Sequence, residues 1–366
     1  MGKIFIRSVM QKKNDRLVYA ATDLVNFLAC PSVTSYDLVD LETPLKKAKD
    51  DEQAKILQQK GYEHENAYLD LLKSRYRSIV DIAAAAASPQ EARQRTLAAM
   101  KAGADIIFQG FLGDSKREGH IDFLRKVSRP SNLGDFSYEA ADTKLARSAK
   151  PKHIIQLCFY SDLVSQVQGT APKQIHLVFG DKSERSFLYK DFSAYYQTVH
   201  DRFLEFLAQP IHEPEPCEYC DYCDWREHCK EKWEREDSLF QVANISRDQI
   251  KKLRDAGITT VRQLGEASPA TRIPKLAATT YRTLQRQAAL QLKKRMTGQD
   301  CYELLPLDRE KRYGFYRLPP PAAGDLFFDM EGDPLEDDGL EQEFNRYSYF
   351  RAEKPCKNRP LASSIL

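Results

Sequence analysis

The stretch EAADTKLA, residues 139–146, places Asp142 and Lys144 two positions apart. In a strand that spacing sets both side chains on one face. Twenty residues upstream of Asp142, GHIDFL (119–124) holds Asp122 between apolar neighbours in what reads as a second strand. Two converging carboxylates suit Mg²⁺ or Mn²⁺, because hard cations prefer oxygen ligands. A lysine beside them can orient or activate an attacking water and stabilise negative charge building on a phosphate. Alone, Asp-x-Lys also describes an exposed strand edge carrying a surface ion pair.

The surroundings widen the pattern. ADIIFQGFL (104–112), EGHIDFLRKV (118–127) and SYEAADTKLA (137–146) are short, rich in β-branched and aromatic residues, and separated by Gly, Asp, Ser and Asn, which reads as three strands. KPKHIIQLCFYSDLVSQVQG (150–169) reads as a helix. KQIHLVFGD (173–181) and RSFLYKDF (185–192) form a hairpin with DKSE at its turn, and YYQTVHDRFLEFLAQP (195–210) is a further helix. Upstream, residues 15–75 read as helical, followed by an Ala run and a helix opened by Ser88-Pro89, a cap and a first-turn proline. The order predicts an α/β core with a mixed central sheet flanked by helices.

A strand with Asp122, a strand with Asp142-x-Lys144, and a helix with Gln156 and Tyr160 at i and i+4 (QLCFY) resemble the restriction-endonuclease-like core of the PD-(D/E)xK nucleases, specifically the RecB-like branch. The resemblance implies that Asp122 and Asp142 ligate Mg²⁺ or Mn²⁺ and that Lys144 is the catalytic lysine. Gln156 and Tyr160 would position substrate or water. It also implies a histidine ligand on an upstream helix, for which GYEHENAYL (61–69) offers His64. Glu65 is the competing ligand, since adjacent helical residues point about 100° apart and only one should face the site. Tyr160 reads equally well as a core residue with its hydroxyl at a surface.

Four of the eight cysteines fall in the thirteen residues CEYCDYCDWREHC, 217–229. In a reducing compartment such a cluster reads as metal ligands rather than disulfides. Two separated pairs would suggest zinc; three cysteines in C-x2-C-x2-C look like a ferredoxin-type run. The RecB-like resemblance implies a 4Fe–4S cluster, as in AddB-type subunits and CRISPR-associated RecB-like exonucleases. There C-x2-C-x5-C supplies three ligands, here Cys220, Cys223 and Cys229. A distant upstream cysteine, here Cys30, supplies the fourth. Cys217 is an extra thiol that could replace Cys30 and would revive zinc. Cys158, Cys301 and Cys356 read as inert.

The bulk composition is that of a soluble globular chain: 366 residues, 42% hydrophobic and 30% charged. No run is apolar enough for a membrane span and the start is too polar for a signal peptide, so the expected location is the cytoplasm. The net charge of +2 is unevenly spread. Residues 244–320 hold 16 Lys and Arg against 7 Asp and Glu, a local +9, which leaves −7 for the remainder. Such an excess suits phosphates or a solvated helical face. Within it, LRDAGITTVRQLGEA (253–267) resembles a helix-hairpin-helix. Near the end, DLFFDMEGDP (325–334) resembles the first strand of an RNase H-like exonuclease, with Asp329 and Glu331 beginning a metal site. The expected domains are a nuclease domain over 15–235, a basic helical domain over 240–300, and a truncated RNase H-like start over 324–366, poorly ordered after 335.

The function so implied is a metal-dependent DNA nuclease, an exonuclease acting on single strands or ends in repair, recombination or CRISPR-type processing, with a helicase as a candidate partner. The rivals are a non-catalytic DNA-binding scaffold braced by an iron–sulfur or zinc site, and a zinc-stabilised interaction protein.

Overall fold

The computed structural model describes residues 10–48, 52–210, 212–304 and the single positions 317, 320 and 322. The RNase H-like stretch with Asp329 and Glu331, and Cys356, lie outside the described residues. The described residues up to Gln299 make up one compact unit.

The chain begins with a small antiparallel hairpin, β1 (Gln11–Lys13) and β2 (Arg16–Val18), turned at Asn14 and Asp15, which both take positive φ. Residues 16–18 are therefore strand, where the sequence suggested helix. Helices α1 (Ala21–Ala29), α2 (Pro31–Glu42) and α3 (Glu52–Arg75) follow. A third unforeseen strand, β3 (Ile79–Asp81), precedes the short α4 (Ile82–Ala85). Then α5 (Pro89–Ala102) opens with Ser88 accepting from the Glu91 amide and closes at Gly103 in the left-handed region.

The core elements come next: β4 (Ile106–Gly113), β5 (Glu118–Val127), β6 (Ser137–Thr143), α6 (Pro151–Gln168), β7 (Gln174–Val178), β8 (Glu184–Leu188) and α7 (Lys190–Ala208). The six strands form one sheet in the order β3-β4-β5-β6-β7-β8. The pairs β3–β4 and β6–β7 are parallel and the others antiparallel, so the sheet is mixed, as the element order predicts.

Strand alternation sorts the two faces. Tyr138 and Ala140 of β6 pack with Leu157 and Phe159 of α6 in the main core. Ala141 faces the other way, against Tyr68, Leu69 and Leu72 of α3 together with Phe108, Phe123 and Val178. Asp142 thus emerges on the α6 face at the end of β6.

Downstream, α8 (Arg226–Arg235) leads to α9 (Arg247–Asp255), α10 (Val261–Glu266) and α11 (Ala278–Thr297). These last three share their own core of Leu253, Val261, Leu264, Tyr281 and Leu284. A Cβ on Gly265 would meet Leu292 Cδ1 at 2.6 Å and the Ala289 amide nitrogen at 3.0 Å, so glycine is what lets α10 lie against α11. The residues joining α9 to α10 are AGITT, 256–260, with Gly257 at φ +84°. Part of the positive excess here is used locally: Lys251 pairs with Asp255, Lys252 with Asp248 and Arg295 with Asp237.

Candidate active site

The β5–β6 register pairs Phe123 with Ala141, so one step further along the antiparallel ladder Asp122 stands opposite Asp142. Their carboxyls lie within hydrogen-bonding reach. Asp122 is anchored through Oδ2, which accepts from the Thr143 amide at 2.9 Å and from Thr143 Oγ1 at 3.1 Å. Asp142 is 1% exposed. Burial pushes its carboxyl up to about 7 against the pull of Lys144, and neighbouring Asp122 adds to the rise.

Strand β6 ends at Thr143, so Lys144 stands one residue beyond it, not inside it. The backbone nevertheless continues the parallel ladder, because the Lys144 amide donates to the Val178 carbonyl at 2.8 Å. The lysine consequently turns to the same side as Asp142, and its ammonium forms an ion pair with Asp142 Oδ2.

From α6, Gln156 reaches this pair: its Nε2 lies 3.5 Å from Asp142 Oδ1 and donates to the Tyr160 hydroxyl at 3.0 Å. Tyr160 is buried. Its ring lies over Gly119, where a Cβ would stand 2.8 Å from Tyr160 Cε1. The glycine of GHIDFL is thus the cradle for the tyrosine.

Helix α3 contributes two neighbours. His64 is buried against the Val178 backbone, and among the described residues its Nε2 has no hydrogen-bond partner. Burial lowers its pKa and so keeps the ring neutral, with Asp122 among the charges it feels. Glu65 interacts electrostatically with both carboxylates. Burial and then Asp122 push its carboxyl up to about 8, with Asp142 adding to the rise and Lys144 opposing it. Helical spacing alone turns only one of the two inward; Glu65 feels both Asp122 and Asp142, whereas His64 feels Asp122 alone of the two, after the Val178 backbone, Lys182 and Asp181.

Sequence reasoning missed Gln109, whose Nε2 donates to Glu65 Oε1. It sits in β4 with φ +52°, a left-handed conformation costing a non-glycine residue about 1–3 kcal/mol. Nothing in ADIIFQGFL signals it except the amide side chain in an otherwise apolar run.

A family model, described as the PD-(D/E)XK nuclease superfamily, matches residues 34–230. The chain belongs to the PD-(D/E)XK nuclease superfamily. Among curated proteins none matches it. The matched span covers the mixed sheet, the carboxylates and Lys144, and runs on through the cysteine segment. Members of this superfamily are in general phosphodiester-cleaving nucleases that use Mg²⁺ or Mn²⁺. The site fits such a cation by its donor chemistry: three crowded carboxylates, two of them held far above their ordinary range, and a neutral imidazole with a bare buried nitrogen. Among the described residues, no three His, Cys, Asp or Glu side chains are drawn together tightly enough to grip one ion. The fit lies in the donor set and its crowding.

The cysteines gather elsewhere. Cys30, Cys217, Cys220, Cys223 and Cys229 line one pocket, closed by Val33, Tyr36 and Trp225. All are free thiols; Cys217 Sγ and Cys220 Sγ are 3.9 Å apart. Burial pushes Cys223 up to about 12 and Cys229 up to about 11, and nearby thiols, Cys30 among them, add to both shifts. Backbone amides already donate to two sulfurs, from Cys217 to Cys220 Sγ at 3.3 Å and from Trp225 to Cys223 Sγ at 3.4 Å. Buried, crowded thiols with amide donors fit a thiophilic metal or cluster. Both Cys30 and Cys217 are in the wall. Cys158 lies apart, fully buried in the main core. Among the described residues no helix is long and apolar enough to cross a membrane.

Proposed function

We propose that this protein is a metal-dependent DNA nuclease that acts on single strands or ends. The observation that carries the reading is the facing pair Asp122–Asp142 with Lys144 ion-paired to Asp142, in a chain of the nuclease superfamily. Asp122, Asp142 and the α3 pair His64 and Glu65 would hold the cation. A bound Mg²⁺ or Mn²⁺ supplies Lewis acidity to the scissile phosphate and acidifies water. Lys144 orients the attacking water and stabilises the charge that gathers on the phosphate. Gln156, steadied by Tyr160, holds substrate or water beside Asp142.

The segment leading away from Lys144 supports a nucleic-acid substrate. Arg147, Lys150 and Lys152 are exposed, and Lys144, Lys150 and Lys152 all bear on buried His153 at the start of α6. No acidic residue interrupts positions 143–161. Such a basic edge would track phosphates without reading bases. The cysteine pocket would seat a 4Fe–4S cluster on Cys30, Cys220, Cys223 and Cys229, with zinc as the alternative occupant. Its role would be structural.

Cleavage of end-labelled single-stranded DNA with Mn²⁺ or Mg²⁺, wild type beside Lys144→Ala, tests the reading. Cutting by the wild type alone supports it. Absence of cutting by wild type, or equal cutting by both, leaves a DNA-binding scaffold as the better account.

A further inference from the structure

Gln109 is the one described non-glycine residue with positive φ that lies inside a strand of the main sheet; Asn14, Asp15, Lys182, Asp237, Asn244 and Lys275 all sit between elements. The ladder on either side is undisturbed: Phe108 pairs with Phe123 and Gly110 with Ile121. No residue has been inserted. The backbone has flipped locally at the position opposite Asp122, in the same register.

The flip has a result for the side chain. Before it, alternation is regular, with Ile106 and Phe108 packed toward α3 and Ile107 toward the main core. A regular strand would send residue 109 the way of Ile107, into that core. Instead its amide reaches Glu65 on α3 and donates to Oε1. Packing does not explain the flip, since an apolar residue in ordinary β conformation would serve the core. Gly110, next in line, could have carried a positive φ without strain, yet the left-handed residue is the glutamine.

We propose that Gln109 is a positioning residue for the metal site. Its flipped backbone aims the amide so that Glu65 is clamped through Oε1 and keeps Oε2 for the cation shared with Asp122 and Asp142. This inference rests on the reading of the carboxylates, Glu65 among them, as a metal site, and adds the residue that sets the orientation of Glu65.

The test uses the full chain, with Mn²⁺ binding followed by loss of the free-ion electron paramagnetic resonance signal, in wild type, Gln109→Gly, Glu65→Gln and the double variant. Thermal midpoints are read in parallel in EDTA. Glycine accepts the left-handed conformation at no steric cost, so Gln109→Gly should fold with an unchanged or higher midpoint while binding Mn²⁺ about tenfold more weakly. Gln109→Asn also tolerates the backbone but has a shorter side chain, and should weaken binding in the same direction. The double variant should be no worse than Glu65→Gln alone, because both changes remove one interaction. A purely structural glutamine would instead lower the midpoint and leave Mn²⁺ binding intact, which overturns the proposal, as does an additive double variant. Wild type that neither binds Mn²⁺ nor cuts DNA overturns the metal-site reading as well. Wild type that does both, with Gln109→Gly equal to it, overturns only the role of Gln109.

Discussion

Asp122 on β5 and Asp142 on β6 face each other across an antiparallel pair, their carboxyls within hydrogen-bonding reach and the second fully buried. Two anions so placed repel in the metal-free protein, and the fold answers by holding protons. Asp142 keeps its proton up to about pH 7 and Glu65 up to about pH 8, whereas unfolded carboxyls lose theirs near pH 4. Between those limits the native state binds more protons than the unfolded one, so stability falls as pH rises. We expect the thermal midpoint in EDTA to drop from about pH 5 to about pH 8, and to drop less in Asp142→Asn, which should be the more stable of the two near pH 8. Mn²⁺ should restore the wild type there and not the variant. Parallel midpoint curves for both proteins would contradict the buried-pair account.

Tyr160 depends on a missing side chain. A methyl at position 119 would stand 2.8 Å and 3.1 Å from two of its ring carbons. Gly119→Ala should therefore cost about 1–3 kcal/mol, as overpacking does, and slow cleavage by moving the hydroxyl that Gln156 bonds at 3.0 Å. Tyr160→Phe keeps the ring and removes the hydroxyl that Gln156 bonds, for about 1 kcal/mol. Urea denaturation beside cleavage rates checks both; a Gly119→Ala variant unchanged in stability and rate would show that the ring is not held as described.

For the cysteine pocket, Cys30→Ser and Cys217→Ser separate the two candidates for the fourth ligand. Anaerobically purified Cys30→Ser should lose bound metal and melt at a lower temperature, while Cys217→Ser keeps both. Iron, sulfide and zinc content together with the visible spectrum are the measurements. The reverse pattern would hand the ligand role to Cys217, and full metal content in both would rule out either as essential.

Charge on the basic edge gives a further expectation. Arg147→Ala and Lys150→Ala should each weaken single-strand binding similarly for all sequences and lower the slope of log affinity against log salt by about 1. Unchanged slopes would place the DNA elsewhere, with the α9–α11 helices next in line.

Much of the architecture was legible because its signals are local. β5 and β6 show themselves through alternation and turn residues, and AGITT marks the joint between α9 and α10. The strands that escaped are three residues long, too short for a period to register. β1 and β2 are mostly polar, although Asn14-Asp15 is a turn signal, and Ile79-Val80 is submerged in the Ala run that follows. At the site, Asp142 and Lys144 share a side for a reason the spacing gives only in part, since Lys144 is already past the strand and is turned by its amide bond to Val178. Glu65 could be named only as the alternative to His64, and Gln109 was hidden altogether, for a different reason. A helix face can be inferred to within about 100°, and a flipped φ inside a strand leaves no compositional trace when the residue is not glycine.

The cysteine segment has a consequence for where the molecule can be cut. Trp225 Nε1 donates to Asp37 at 2.8 Å, the Tyr219 hydroxyl to Asn26 Oδ1 at 3.1 Å, and the Ala48 amide to the Asp224 carbonyl at 2.8 Å. His228 adds a bond to the Lys46 carbonyl at 2.9 Å. Every one of these partners lies between Asn26 and Ala48, so the segment is a lid laid over that stretch of the chain. A fragment stopped after α7 would contain the whole sheet and every candidate catalytic side chain, yet it would uncover the faces of α1 and α2 beneath that lid. The smallest piece that behaves as an autonomous nuclease domain should therefore end no earlier than α8.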